Sequence, residues 1–226
     1  MRLGPAVILV LVAAIGPMVA PHHPERIVGR PNLSPRSGFW FGTDRSGFDV
    51  LSRTFAAART NVTIALLVTV TATVVAIAAG LLVGMNESRQ GPAGFMARCA
   101  SRAVDLTQAI PAIVIGLTII SFYGASRPTL VVALAIIGTP TQVRLVRTEV
   151  LRVRSEAYLD AARMAGLREW ELTARHVLPN SIRPALENAS ALFGTTVVLM
   201  AAFGFLGVGL PPPTPEWGAM IAQGAA

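Results

Sequence analysis

Lysine is missing altogether. The 226-residue chain carries 19 basic side chains and every one is arginine. Charge of any kind is scarce, at 14% of residues, and aromatic residues make up only 6%. Against 12 acids the formal balance is +7, with a pI near 11.3. A basic balance can mean nucleic acid, but that needs a solvated basic face or aromatic–basic motifs. Here the densest basic stretch, Arg144 to Arg183, is interleaved with Glu149, Glu156, Asp160, Glu169 and Glu171, so no nucleic-acid partner is expected. The single cysteine, Cys99, excludes an internal disulfide and offers no zinc cluster. His22 and His23 are adjacent and followed by Pro24, which gives no i, i+4 geometry, so they read as loop histidines and no metal is expected. There is no glycine-rich phosphate loop of Walker type, so this chain should not itself bind ATP as a cofactor. An intramembrane protease or lipid transferase would need facing catalytic groups, and neither Gly-x-Ser-x-Gly nor His-Glu-x-x-His occurs. An ion-coupled secondary carrier would show internal repeats and charges at midspan, and neither is visible.

What the chain has in quantity is apolar sequence, 53% of residues, with the charges gathered between uncharged runs. That is a membrane profile, and it predicts an all-α polytopic protein. The first uncharged run lies between Arg2 and Glu25, with a core at Ala6 to Ala20. A cleaved signal peptide competes, but Met18-Val19-Ala20 is a poor cleavage site, so residues 1–20 read as a retained membrane helix. Residues 21–60 are polar and rich in Pro and Gly, and read as an external segment whose loop is capped by Asp44 and Asp49. The second span, between Arg59 and Glu87, is the clearest, because a hydrocarbon core of about 30 Å needs only about 20 helical residues. Within it Ala72, Ala76, Gly80 and Gly84 recur every four residues and predict a smooth ridge for close helix packing.

Arg89, Arg98 and Arg102 mark a basic turn, and Asp105 is spaced to pair with Arg102. A third span is expected from Leu106 through Ser126, kinked at Pro111. A fourth runs from Thr129 to Val143, interrupted at Gly138-Thr139-Pro140, its helix carrying on with Arg144 and Arg147 snorkelling. A fifth spans Asn188 to Leu210 and ends in Pro211-Pro212-Pro213-Thr214-Pro215-Glu216-Trp217-Gly218. Residues 61–226 thus form one membrane core.

That core is organised around Ser155 to Asn180, its one long polar, helix-forming stretch. Ser155 is a good N-cap, Glu156 suits the positive end of a helix dipole, and the Ala-rich run to Ala165 favours helix. Gly166 stands where a C′ glycine ends a helix. A second helix, Arg168 to Val177, should stop at Leu178, because Pro179 disfavours helix in the residue before it. Composition alone would make this an ordinary amphipathic surface pair.

The whole string says more. Glu156-Ala157, Ala161-Ala162, Gly166 and Leu178-Pro179 resemble the EAA loop of ATP-binding-cassette (ABC) importer permeases. The segment Phe41-Gly42-Thr43-Asp44 with Gly47 to Arg53 resembles that before the core helices in the dipeptide, oligopeptide and nickel branch, although Phe48 and Ala58 replace its usual Arg and Gly. The run GTPTQVRLVRTEVL is similar to the family's approach to the EAA loop, with Thr139 and Val143 in place of Trp and Ala, and FLGVG with PPTPEWG matches the same branch.

The resemblance implies a type I ABC importer transmembrane domain with a cytoplasmic coupling helix in loop 155–180. It implies a sixth span after Trp217-Gly218, of which this sequence, with five, stops short. Expected partners are a homologous second permease, two ATP-binding-cassette ATPase subunits, an external solute-binding protein and membrane lipid. The implied activity is uptake of peptides or a related solute across the cytoplasmic membrane. With the loop cytoplasmic, eight arginines between Arg144 and Arg183 and three between Arg89 and Arg102 lie inside, against Arg127 in the outer turn. The six arginines of residues 21–60 then lie outside, in a segment long enough to weaken the positive-inside bias.

Overall fold

The computed structural model describes residues 4–225. Its elements are α1 (Gly4–Val19), α2 (Val50–Asn86), α3 (Pro92–Thr107), α4 (Ala112–Tyr123), α5 (Arg127–Arg154), α6 (Ala157–Met164), α7 (Glu169–Leu172), a π turn (Thr173–Val177), α8 (Leu178–Ser181), α9 (Arg183–Phe205) and α10 (Trp217–Ala225). Among the described residues, three helices are long and apolar enough to cross a membrane, namely α2, α5 and α9. A fourth span is reached if α3 and α4, a pair bent at its break, count as one. The protein is therefore a helical membrane protein, while α1, at 16 residues, is shorter than a span needs.

The chain divides into two compact units. One holds residues up to Leu67, Ile115–Leu134 and Gly194 onward; the other holds Val68–Val114 and Ala135–Phe193.

In the first unit, α2 starts at Val50, well before the Arg59 boundary expected for the membrane core and inside the stretch read as the external segment 21–60. The cause is local. Asp49 Oδ2 accepts from the Ser52 backbone N–H at 2.9 Å and from its hydroxyl, so Asp49 is the N-cap of a helix that continues unbroken into the span. Asp44 caps its own turn, with Oδ1 accepting from the N–H groups of Ser46 (2.9 Å) and Phe48 (3.0 Å). His22 stacks on Phe39 and lies 3.6 Å from Asp49, a loop histidine held by its neighbours. At the other end of this unit, Gly116 makes room for the Phe203 ring, and Trp217 Nε1 donates to the Thr54 carbonyl at 3.3 Å.

In the second unit, α2 lies against α5. Ala72 and Ala76 are fully buried, and a Cβ on Gly80 would lie 2.7 Å from Val146 Cβ and 2.9 Å from the Val143 carbonyl oxygen. A Cβ on Gly84 would lie 2.7 Å from Val150 Cγ1. The four-residue spacing puts these small residues on one stripe, and at Gly80 and Gly84 the valines of α5 occupy the space the glycines leave. Arg147 then forms a two-pronged ion pair with Glu87, at 2.7 and 2.8 Å. Arg154 Nη1 donates to the carbonyls of Gly84 (3.0 Å) and Met85 (2.9 Å), placing a cation on the negative end of α2.

Other helix boundaries also differ from the sequence reading. The basic turn at Arg89–Arg102 is mostly helix, since α3 begins at Pro92, where a proline suits the first turn. The expected third span, Leu106 through Ser126, takes in the end of α3 and then α4 from Ala112 to Tyr123, with the helix broken over residues 108–111 at Pro111 rather than merely kinked there. Arg102 and Asp105 form no ion pair among the described residues. Conversely, α5 runs through Gly138-Thr139-Pro140 without a break. Gly138 meets Leu192 and the Thr139 hydroxyl donates to the Ala135 carbonyl at 2.7 Å, so this turn is held by packing and a side-chain bond despite the proline. The fifth span is shifted, with α9 covering Arg183–Phe205 instead of Asn188–Leu210.

Candidate coupling site

The loop after α5 begins with a correction. Ser155 does not cap α6. Its hydroxyl donates to the Arg152 carbonyl at 2.7 Å and closes the end of α5, while Glu156, with extended backbone, takes the N-cap position and makes no side-chain cap bond. Its carboxylate pairs instead with Arg152 at 3.0 Å, and Arg152 also holds Glu149 at 2.6 Å.

The end of α6 follows the expected chemistry. Gly166 has φ +90°, Gly166 N–H donates to the Arg163 carbonyl at 2.9 Å, and Leu167 N–H donates to Ala162 at 3.2 Å. These two bonds make a Schellman motif, which turns the chain after two helical turns. Arg163 then ties the two sides of the turn together, bonding Asp160 at 2.7 Å and Glu169 at 3.0 Å.

Beyond the turn, the helix does not stop at Leu178. Leu178 has helical φ −56° and ψ −53°, and its N–H donates to Thr173, five residues back. The widened π turn Thr173–Val177 changes the register of the carbonyls, and α8 proceeds through Pro179 as its second residue. Proline in a first helical turn lacks a donor that would be unpaired anyway. Asn180 Nδ2 bonds the His176 carbonyl at 2.7 Å and holds the same turn from outside.

The loop has two faces. Leu159, Leu172 and Val177 are buried in a cluster with Val146, Val150 and Val153 of α5, against which Ala162 and Leu167 also pack. Among the residues singled out from sequence, Ala162 therefore points inward. Glu156, Ala157, Ala161, Gly166 and Pro179 are exposed, and Leu178 is half-buried. The alanine pair is thus divided between anchor and surface. Sequence reasoning missed three large exposed side chains on the same loop, Tyr158, Met164 and Trp170. Sequence alone could not separate them from Leu159, Leu172 and Val177, because which apolar residues of the loop enter the core depends on the partner helix. Beside them Glu149, Arg152, Glu156, Tyr158, Asn180 and Arg183 border a cleft of about 370 Å³.

The described residues thus hold apolar helices long enough to cross a membrane and a polar loop, residues 155–180, with one face packed on the helix core and small and aromatic residues on the other. The sequence profile of the family described as binding-protein-dependent transport system inner membrane component matches residues 76–226. The chain belongs to this family. It is similar to the di/tripeptide transport system permease protein of Pseudomonas aeruginosa (strain UCBPP-PA14), 34% identical over 223 residues that cover 96% of this chain and 72% of that protein. It is 32% identical to the probable D,D-dipeptide transport system permease protein of Escherichia coli (strain K12) over 219 residues, again 96% and 72% of the two chains. The glutathione transport system permease protein of Pectobacterium atrosepticum is 31% identical over 194 residues, 86% of this chain and 62% of that protein. As an inner-membrane permease of the ABC importer class, the chain is a translocation subunit and not an enzyme.

Proposed function

We propose that the chain is one of two homologous permease subunits of an ABC importer that carries short peptides inward, coupled to two ATPase subunits through loop 155–180. The observation that carries this reading is the two-faced loop: Leu159, Leu172 and Val177 fix it to the helix core, while Ala157, Tyr158, Ala161, Met164 and Trp170 stand outside. A rigid peg can transmit an ATPase closing motion, whereas a loose loop would dissipate it. Moving a two-state switch from 1:99 to 99:1 takes about 5.5 kcal/mol of differential binding. The peptide cargo is supported by the three relatives, named for di/tripeptide, D,D-dipeptide and glutathione transport.

In this reading the subunit is a type I transmembrane domain whose spans are α2, α4 with its flanks, α5 and α9, with α1 as a fifth, short one that local bilayer thinning accommodates. Loop 155–180 is cytoplasmic and residues 21–49 are external, where the solute-binding protein docks. ATP binds on the partners. The Ala72, Ala76, Gly80 and Gly84 stripe keeps α2 and α5 together while the spans rock.

Copurification tests the assembly: the tagged subunit should bring down its ATPase, the second permease and, with peptide, the binding protein. Single cysteines placed in loop 155–180 and in residues 21–49, in a Cys99→Ser background, test the orientation. A membrane-impermeant thiol reagent applied to intact cells should label only the second position, and labelling of the loop would overturn both orientation and coupling.

A further inference from the structure

We propose that α3 lies along the membrane surface as an amphipathic anchor, its apolar face set at the headgroup–acyl boundary and its arginine edge against anionic phospholipid. At 100° per residue the helix has three sectors. Gly94, Ala97 and Ser101 are buried and face the protein. Arg98 and Arg102, with Asp105, form a polar flank of net positive charge. The remaining face carries Phe95, Cys99 and Leu106, with Met96 beside them, and Phe95, Met96 and Leu106 are 63%, 70% and 69% exposed. An apolar face this open on one helix calls for a cover.

The tethers say what covers it. The uncharged run of α2 ends at Glu87, with four residues between it and α3, and four residues likewise separate α3 from the apolar α4. With 16 residues α3 is about 24 Å long, and four extended residues reach at most about 14 Å. Standing upright away from the bilayer, α3 would hold Thr107 too far out for Ala112 to enter a span. Crossing the bilayer would put the charges of Arg98, Arg102 and Asp105 into hydrocarbon, where each is strongly disfavoured. Lying flat satisfies both limits. It also matches the charge, because Arg102 has no partner among the described residues and Arg98 is bonded only to the main-chain carbonyls of Glu87 (3.0 Å) and Arg89 (3.3 Å). Uncompensated arginines beside an apolar face suit lipid phosphates.

Assignment to the cytoplasmic leaflet rests on the orientation proposed above, but depth in the interface does not. Cys99 lies on the apolar face one turn from Phe95, so the natural cysteine serves as the probe. It would be spin-labelled in the transporter assembled with cysteine-free partner subunits and reconstituted in phosphatidylcholine vesicles, alone or mixed with phosphatidylglycerol. The label should be more accessible to oxygen than to a water-soluble nickel chelate, and a label at Arg98→Cys in a Cys99→Ser background should show the reverse. Phosphatidylglycerol should move the Cys99 label deeper, and Arg102→Gln should reduce that movement. A Cys99 label open to the chelate, or closed to both agents because a protein subunit covers it, would overturn the proposal. An equal response to phosphatidylglycerol with and without Arg102 would overturn the anionic-lipid part. A failed sidedness test with a correct depth would reverse only the leaflet.

Discussion

The Glu216 carboxylate occupies the space that Gly204 leaves empty: a Cβ at position 204 would lie 2.7 Å from Glu216 Cδ. Gly209 borders the same carboxylate, Leu210 N–H donates to its Oε2 at 3.1 Å, and Oε1 has no hydrogen-bond partner among the described residues. Glu216 is fully buried in the segment that follows α9, and burial raises its pKa from 4.5 to about 7, with the Leu210 bond opposing.

That arrangement predicts a stability that falls with pH. Between 4.5 and about 7 the folded carboxyl holds a proton that the unfolded one has lost, so raising pH through this window favours unfolding. At ~1.4 kcal/mol per pK unit the effect is about 3 kcal/mol at most. Thermal unfolding of the purified subunit should show its midpoint dropping from about pH 5 to pH 8, and Glu216→Gln should flatten the slope and be the more stable form at the upper end. An unchanged slope in Glu216→Gln would place the titration elsewhere.

A second expectation concerns the contact of α2 with α5. Gly80→Ala already forces a Cβ to within 2.7 Å of Val146 Cβ, and Gly80→Leu cannot be housed without parting the helices. Overpacking of this kind costs about 1–3 kcal/mol, more where backbone is met, as at the Val143 carbonyl. Melting in detergent should rank wild type above Gly80→Ala above Gly80→Leu. Equal midpoints would mean that the small-residue stripe is only composition.

The sequence was most informative where one residue type answers one local demand. Gly166 was legible as a helix stop because a left-handed residue there needs no help from elsewhere, and φ +90° is what the turn uses. The charge-free run ending at Glu87 was legible for a similar reason, since membrane length is set by the bilayer. The helix starts and stops that went astray were decided by neighbours. Val50 begins α2 because Asp49 caps it, an effect visible only once Ser52 is seen to bond back. Pro179 and Pro140 stay within helices, the first through a π turn and the second in a turn packed on Leu192. The division of Ala161 from Ala162 depended on which side of α6 meets Val150 and Val153, and periodicity does not reveal that without the partner helix.

The exposed Tyr158, Met164 and Trp170 should matter for docking and little for folding. Residues of this kind dominate interfaces, at about 2 kcal/mol or more for a central aromatic. Trp170→Ala should weaken binding of the ATPase subunit about ten-fold or more in a pull-down titration, with an unaltered melting temperature. Binding at wild-type strength would remove Trp170 from the contact.

Coupling through loop 155–180 can be read out in a reconstituted transporter. Gly166→Val places a β-branched residue at φ +90°, costing about 1–2 kcal/mol, and Ala161→Trp puts bulk on the exposed face of α6. Both variants would be assembled with every partner in vesicles, and peptide uptake measured beside peptide-stimulated ATP hydrolysis. Both variants should insert and bind their permease partner but lose uptake and stimulation together, with peptide still bound by the solute-binding protein. Normal uptake with full stimulation in both variants would contradict coupling through the loop.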